Sequence, residues 1–308
     1  MCSAGVVSSH RVLIEEYEEH LAENCGVTAA TGGLFSWHVS VFLAARFGRK
    51  RPDLKVLRPT DAIKYVTALS HRWKPNTRRS AVTALRSFLR WAQMRGLCAA
   101  LLANSVPTVS SPRSSGLPLH LSKEQLDALL RAFERNRGNG SRNYAAVLCM
   151  ARLGLRVAEV VQITLDDIDW KEGTLRLPLS KGRRERVLPL PCDVGQALVD
   201  YLRRCRPPTK SRHVFVSHQH TTGHPLTKSA MRLVTRNAFI RAGLNTPSKG
   251  TRVLRHTAAT HLIRAGSTIK EIADILGHSS IDTTCIYAKV DIPALAEAAA
   301  PWPMGGKA

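Results

Sequence analysis

Between Asp200 and Glu271 the sequence has no carboxylate side chain, although cations recur from Arg203 to Lys270. A metal-dependent nuclease centre needs clustered Asp and Glu ligands, so this shortage argues against one in the C-terminal half. The seven cysteines, at 2, 25, 98, 149, 192, 205 and 285, include no CxxC pair. Neither a zinc site nor a disulfide framework is expected, and a reducing cytosol is the default compartment. No apolar run reaches the roughly 18 residues that a membrane span requires. The start, MCSAGVVSSH, lacks the charged and apolar regions of a signal peptide. A cytoplasmic protein with no membrane partner is therefore expected. No internal repeat is present.

What is abundant is positive charge. The 308 residues carry 45 Lys+Arg against 23 Asp+Glu, a formal net charge of +22. With 44% hydrophobic and 22% charged residues the chain is globular, and its length suits two domains. Such a charge points to a polyanionic partner, nucleic acid before an anionic membrane. The stretch from Arg46 to Arg95 is also basic, offset only by Asp53 and Asp61. Basic surface in both halves suits a clamp around double-stranded DNA.

Periodicity predicts helices over 12–24, 34–48, 61–71 and 76–96. In the fourth, Leu85, Phe88, Leu89 and Ala92 form an apolar stripe. Arg79, Arg86 and Arg90 share another face, and Arg78 lies beside Arg79; these four are candidate phosphate contacts, the alternative being a solvated face. Residues 104–119, NSVPTVSSPRSSGLPL, read as a linker. Domains are thus expected at 1–103 and 120–308. Further helices are predicted over 121–136, 143–154, 156–163, 226–244, 253–266 and 268–277. TLRLPL and RERVLPL read as strands of a hairpin with Lys181-Gly182 at its tip, and HVFVS (213–217) as a third strand. The fold class is mainly α with a small antiparallel β-sheet.

The stretch KGTRVLRHTAATH (249–261) holds three cations and two imidazoles without a carboxylate. Arg252 and Arg255, three apart, face the same way on a helix and repel unless an anion lies between them. Guanidinium forks match phosphate oxygens bidentately. Fixed cations also stabilise the charge that builds on a transferring phosphoryl group, with no metal. A nucleophile is then needed. Tyr287, in LGHSSIDTTCIYAKV, reads alone as a core or interface residue; as an attacking group it needs activation, since a phenol ionises near pH ~10.

RLGLRVAEVVQITLDDID (152–169), the Lys181 hairpin, LRHTAATHLIRAG (254–266) and LGHSSIDTTCIY (276–287) follow one another as in the tyrosine recombinase (phage integrase) family, which the chain resembles over residues 12–290. Its Xer-type and mobile-element integrases are the most similar. The resemblance implies a two-domain, C-shaped DNA clamp, with a helical N-terminal core-binding domain and a mixed α/β catalytic domain. It implies that Arg156 and Arg255 bind the scissile phosphate and that Glu159 orients the site from behind. Lys181 would protonate the leaving 5′-oxygen, His278 would hydrogen-bond the phosphate, and Tyr287 would form a 3′-phosphotyrosyl link. Neither cofactor, metal nor ATP is implied, and a homotetramer on two DNA sites is. The tail DIPALAEAAAPW would pack on a neighbouring subunit or cap its own domain. His256 and His261 match no catalytic position and read as packing or capping groups.

Arg252 departs from the pattern, because the family usually has histidine there. A histidine can take the tyrosine proton near neutral pH; an arginine cannot, though it can hold phosphate. General-base help is worth ~10²–10⁴-fold. A working variant, a slowed enzyme and an inactive DNA-binding relative all follow from this substitution. A type IB topoisomerase, with similar chemistry on one duplex, is the other enzyme class.

Overall fold

The computed structural model describes residues 8–70, 73–110, 118–178, 185–219, 221–278 and 280–290. The chain divides into two compact units, Met1–Ser114 and Ser115–Ala308. Among the described residues no helix is long and apolar enough to cross a membrane.

In the first unit, α1 (Arg11–Glu23) buries Ile14, Tyr17 and Leu21, a helical stripe three and four residues apart. Helix α2 (Ala29–Phe47) begins five residues before the predicted 34, because Thr28 caps it by accepting from the Thr31 N–H. That cap carries the helix through Gly32 and Gly33, which periodicity had excluded. Helix α3 (Pro59–Leu69) starts at its proline, and Asp61 accepts from the Arg58 N–H at 2.9 Å. Helix α4 (Pro75–Met94) buries the expected Leu85, Phe88, Leu89 and Ala92. Phe88 meets Tyr17 edge-to-face with ring centroids 5.3 Å apart. Each such aromatic or leucine burial contributes about 1.5–3 kcal/mol.

The second unit forms around α6 (Gly138–Arg152), which follows α5 (Lys123–Arg131). Residues 145–151 of α6, AAVLCMA, are apolar on every face and all buried. A helix of that kind must be wrapped, and α8 (Cys192–Asp200) and α10 (Thr251–Arg264) pack on it. Along the chain between α6 and α8 lie α7 (Val157–Val160) and an antiparallel sheet, β1 (Ile168–Asp169), β2 (Thr174–Leu177) and β3 (Arg186–Pro189), in that order. Leu175 pairs with Leu188 toward the core, and Arg176 with Val187 toward solvent. Helices α9 (Lys228–Arg241) and α11 (Ile269–Leu276) complete the unit, with 3₁₀ turns at Ile281–Thr283 and Cys285–Val290.

Two expectations need correction. Residues 213–217 form no strand, only isolated bridges from His213 to Thr164 and from Val216 to Pro225. The Arg206 guanidinium occupies the carbonyls of Ser211, His213 and Val214 that a ladder would use. The apolar run is accounted for by burial, since Val214, Phe215 and Val216 are fully enclosed. The sheet's third strand is β1 instead. Helix α8 was not anticipated, although Val194, Ala197, Leu198 and Tyr201 follow helical spacing and are buried. Lys181, Gly182, Arg183 and Arg184 and the tail from 291 lie outside the described residues.

Candidate active site

Helix α10 presents the opening stretch of charge. Its N-terminal turn carries Arg252 outward and Arg255 inward, where the latter is only 7% exposed. Arg255 donates to the carbonyls of Gly154 at 2.7 Å and Leu276 at 2.6 Å. Arg156, just before α7, donates to the same Leu276 carbonyl at 3.0 Å and to Gly277 O at 3.2 Å. The end of α11 is thus the anchor for both arginines. Gly154 makes this approach possible: a Cβ there would come within 2.5 Å of Leu276 Cδ2.

Glu159 supplies the counter-charge from behind. Its carboxylate accepts from the Arg156 N–H at 2.8 Å and from the Arg156 guanidinium at 2.9 Å, and pairs with Arg186 at 2.9 Å. Burial works against this charge, but the Arg156 backbone N–H and the guanidiniums of Arg186 and Arg156 outweigh it and hold the carboxyl below its usual range. Arg186 also donates to the Ile275 carbonyl. Sequence reasoning missed Arg186. The signal was an arginine on the same strand face as Leu188, opposite buried Leu177, an inward position.

The C-terminal turns bring the remaining groups in. α11 is set by its capping box, with Thr268 Oγ1 accepting from Glu271 N and Glu271 from Thr268 N. It stops at Gly277 in the left-handed conformation, φ 61°, and His278 N returns to Ala273 O at 2.9 Å. His278 Nδ1 lies 2.6 Å from Thr284 Oγ1. Tyr287 packs its ring with Ala259, Ile263, Ile272 and Leu276 and is 1% exposed. Its phenol oxygen lies 2.8 Å from Nδ1 of His256.

These groups surround one pocket of about 370 Å³, lined by Leu155, Arg156, Val157, Thr251, Arg252, Arg255, His256, His278, Thr283, Ile286 and Tyr287. Among the described residues, none that lines it is acidic. Burial, then repulsion from Arg156, pushes the Arg255 guanidinium down to about 9, still charged at neutral pH. A buried guanidinium such as Arg255 is costly, and an anion in the pocket offsets that cost. Burial also pushes the Tyr287 phenol up, against the pull of Arg255, Arg252 and Arg156.

The pocket therefore gathers Arg156, Arg252, Arg255, His278 and Tyr287, with Glu159 behind, from positions 131 residues apart in the chain. It also includes His256, which by sequence alone reads as a packing or capping group. Nothing in the sequence pairs His256 with a tyrosine in another segment. In the other unit, Arg79 and Arg90 are exposed and Arg78 is half-buried. Arg86 donates to Val106 O at 2.7 Å and Thr108 Oγ1 at 2.8 Å, tying α4 to the chain that follows.

Known proteins are similar to this chain in sequence and fold. A family model described as the phage integrase family matches residues 120–292. A Sinorhizobium fredii protein described as an integrase/recombinase, y4rA, is 39% identical over 290 residues, covering 94% of this chain and 70% of that protein. Tyrosine recombinase XerD of Mycobacterium tuberculosis is 30% identical over 302 residues, covering 96% and 90%. Among solved structures, the XerH site-specific recombinase bound to palindromic difH substrate superposes with a TM-score of 0.74 at 20% identity, over 92% of this chain and 83% of that one. By sequence over nearly its whole length and by fold, the chain belongs to the phage integrase family, the tyrosine recombinases.

Proposed function

We propose that this protein is a site-specific recombinase that cuts and rejoins double-stranded DNA through a 3′-phosphotyrosyl intermediate. The observation that carries the reading is the pocket in which Arg156, Arg252, Arg255, His278 and Tyr287 converge. The scissile phosphate sits between the guanidiniums, which hold its oxygens and stabilise the charge gained in the transition state. Glu159 keeps Arg156 oriented, and His278 hydrogen-bonds the phosphate. Tyr287 Oη attacks phosphorus, the P–O5′ bond breaks, and Lys181 protonates the leaving 5′-oxygen. The 5′-hydroxyl of a partner strand then reverses the step. The phosphotyrosyl link conserves the energy of the broken bond, so the chain chemistry uses neither ATP nor a metal.

Both domains, 1–103 and 120–308, joined by 104–119, contact the duplex, with Arg78, Arg79, Arg86 and Arg90 of α4 on the phosphates. A homotetramer on two DNA sites carries out the exchange. The basic stretches in both halves support this arrangement.

The test is covalent capture. Nicked duplexes tiled across the DNA that flanks the gene are incubated with protein, so that cleavage releases a short strand and traps the adduct. Wild-type protein should give an adduct on at least one duplex, and Tyr287→Phe none. DNA binding without an adduct would identify a relative that kept the DNA site and lost the chemistry. An adduct with Tyr287→Phe would move the nucleophile elsewhere.

A further inference from the structure

We propose that His256 is the general base for Tyr287, its Nδ1 taking the phenolic proton across their 2.8 Å contact as the oxygen attacks phosphorus. This rests on Tyr287 being the nucleophile. Position 252, where a base would be expected, holds an arginine that cannot accept a proton. One turn further along the same helix, His256 stands against the phenol, with ring centroids 5.5 Å apart and planes at 60°.

The surroundings fit the role. The phenol is 1% exposed, so bulk hydroxide has little access to it. Burial raises its pKa and so suppresses its ionisation, and an internal acceptor is needed. The groups facing His256 are Arg252 and Arg255 on its own helix, His120 from the segment before α5, and Tyr287. Burial first, then Arg252, Arg255 and His120, push the imidazole down to about 4. It is therefore neutral at pH 7 and able to accept. An entering phosphodiester pairs with Arg252 and Arg255, offsets their charge, and lets the imidazole become more basic when the proton arrives.

The step balances. The Oη–P bond forms as P–O5′ breaks; the Oη proton moves to Nδ1, giving an imidazolium; the leaving 5′-oxygen takes its proton from Lys181. In rejoining, the incoming 5′-hydroxyl gives a proton to Lys181, and His256 returns its own to the departing phenolate.

The experiment measures single-turnover adduct formation on a nicked duplex from pH 6 to 9, with gel-shift binding of the same DNA in parallel. His256→Asn keeps an acceptor oxygen near the Nδ1 position but cannot hold a proton. It should bind DNA normally and cut about 10²-fold more slowly at pH 7. The gap should narrow about tenfold per pH unit as the phenol ionises unaided. Wild-type protein should show a level rate between pH 7 and 9. A duplex with a 5′-bridging sulfur, whose thiolate leaves without an acid, should not restore the variant.

An unchanged rate, a loss equal at every pH, or rescue by sulfur would overturn the proposal. If the variant fails to bind DNA, the wild-type profile decides: a tenfold rise per pH unit would also overturn it. These results leave the nucleophile intact, because that assignment is tested separately by Tyr287→Phe. An adduct surviving there removes both.

Discussion

Arg252, Arg255 and His256 lie within five residues of one helix, yet their surroundings give them different capacities. Arg255 is buried and spends donors on two carbonyls, so its guanidinium is fixed before any ligand arrives. Arg252 is exposed at the pocket rim, where water weakens its field. If position 252 supplies charge and His256 supplies the base, Arg252→Ala slows adduct formation by roughly 10–100-fold, at or below the usual loss for a buried transition-state donor. Arg252→His should then lie closer to wild type at pH 6, where an exposed imidazole is cationic, than at pH 8, where it is neutral. The reverse trend would mean that position 252 works better with a base, and would weaken the case for His256.

At the scale of elements, the site hangs on the end of α11. Its last carbonyls receive Arg156 and Arg255, and Ile275 O receives Arg186 from β3. The turn that stops the helix at Gly277 then starts the segment carrying His278 and Tyr287. Gly277 has φ 61°, and a Cβ there would stand 2.8 Å from Arg186 Nε and Cζ. Arg186 cannot easily move aside, being held by Glu159. Gly277→Ala should therefore destabilise the fold by at least about 1–2 kcal/mol from backbone strain. A lowered midpoint in thermal or urea unfolding checks it. Adduct formation should fall as well, because displacing Arg186 disturbs Glu159 and through it Arg156. An unchanged midpoint would show that the turn tolerates a side chain.

Across the whole molecule, buried and half-buried histidines tie stability to pH. His38 in α2, His218 after the buried 214–216 run, and His256 and His261 in α10 all have imidazoles pushed down, each chiefly by burial. Arg142 adds to the effect on His218, and Arg152, Arg264 and His120 to that on His261. In the unfolded chain these groups bind protons near pH ~6.5. In the folded protein they do so only at lower pH, for His256 about 4. Between those values the unfolded state holds more protons, so stability falls as pH falls. Their contribution is complete above pH ~6.5 and is lost on descent toward the folded values. The unfolding midpoint should be lower at pH 5 than at pH 7.5, and His256→Asn should reduce that difference. A pH-independent midpoint would contradict it.

The sequence by itself determined the helices with strong apolar stripes, the β2–β3 pairing, and the order of the boxes around Arg156, Arg255, His278 and Tyr287. These are local patterns: a stripe every three to four residues, alternation in a strand, a cap such as Thr268 with Glu271. It did not determine α2's start, since a threonine cap outweighed two glycines, nor the fate of 213–217, where the Arg206 side chain took the carbonyls of a strand. Above all it did not place Arg186 on Glu159 or His256 on Tyr287. Those contacts join segments 27 and 31 residues apart in the chain. No periodicity encodes them, because they exist only once β3, α7, α10 and the last turns have packed and removed water from between the charges. Only the tertiary structure could show that the helix with an arginine at position 252 also sets the His256 imidazole against the phenol.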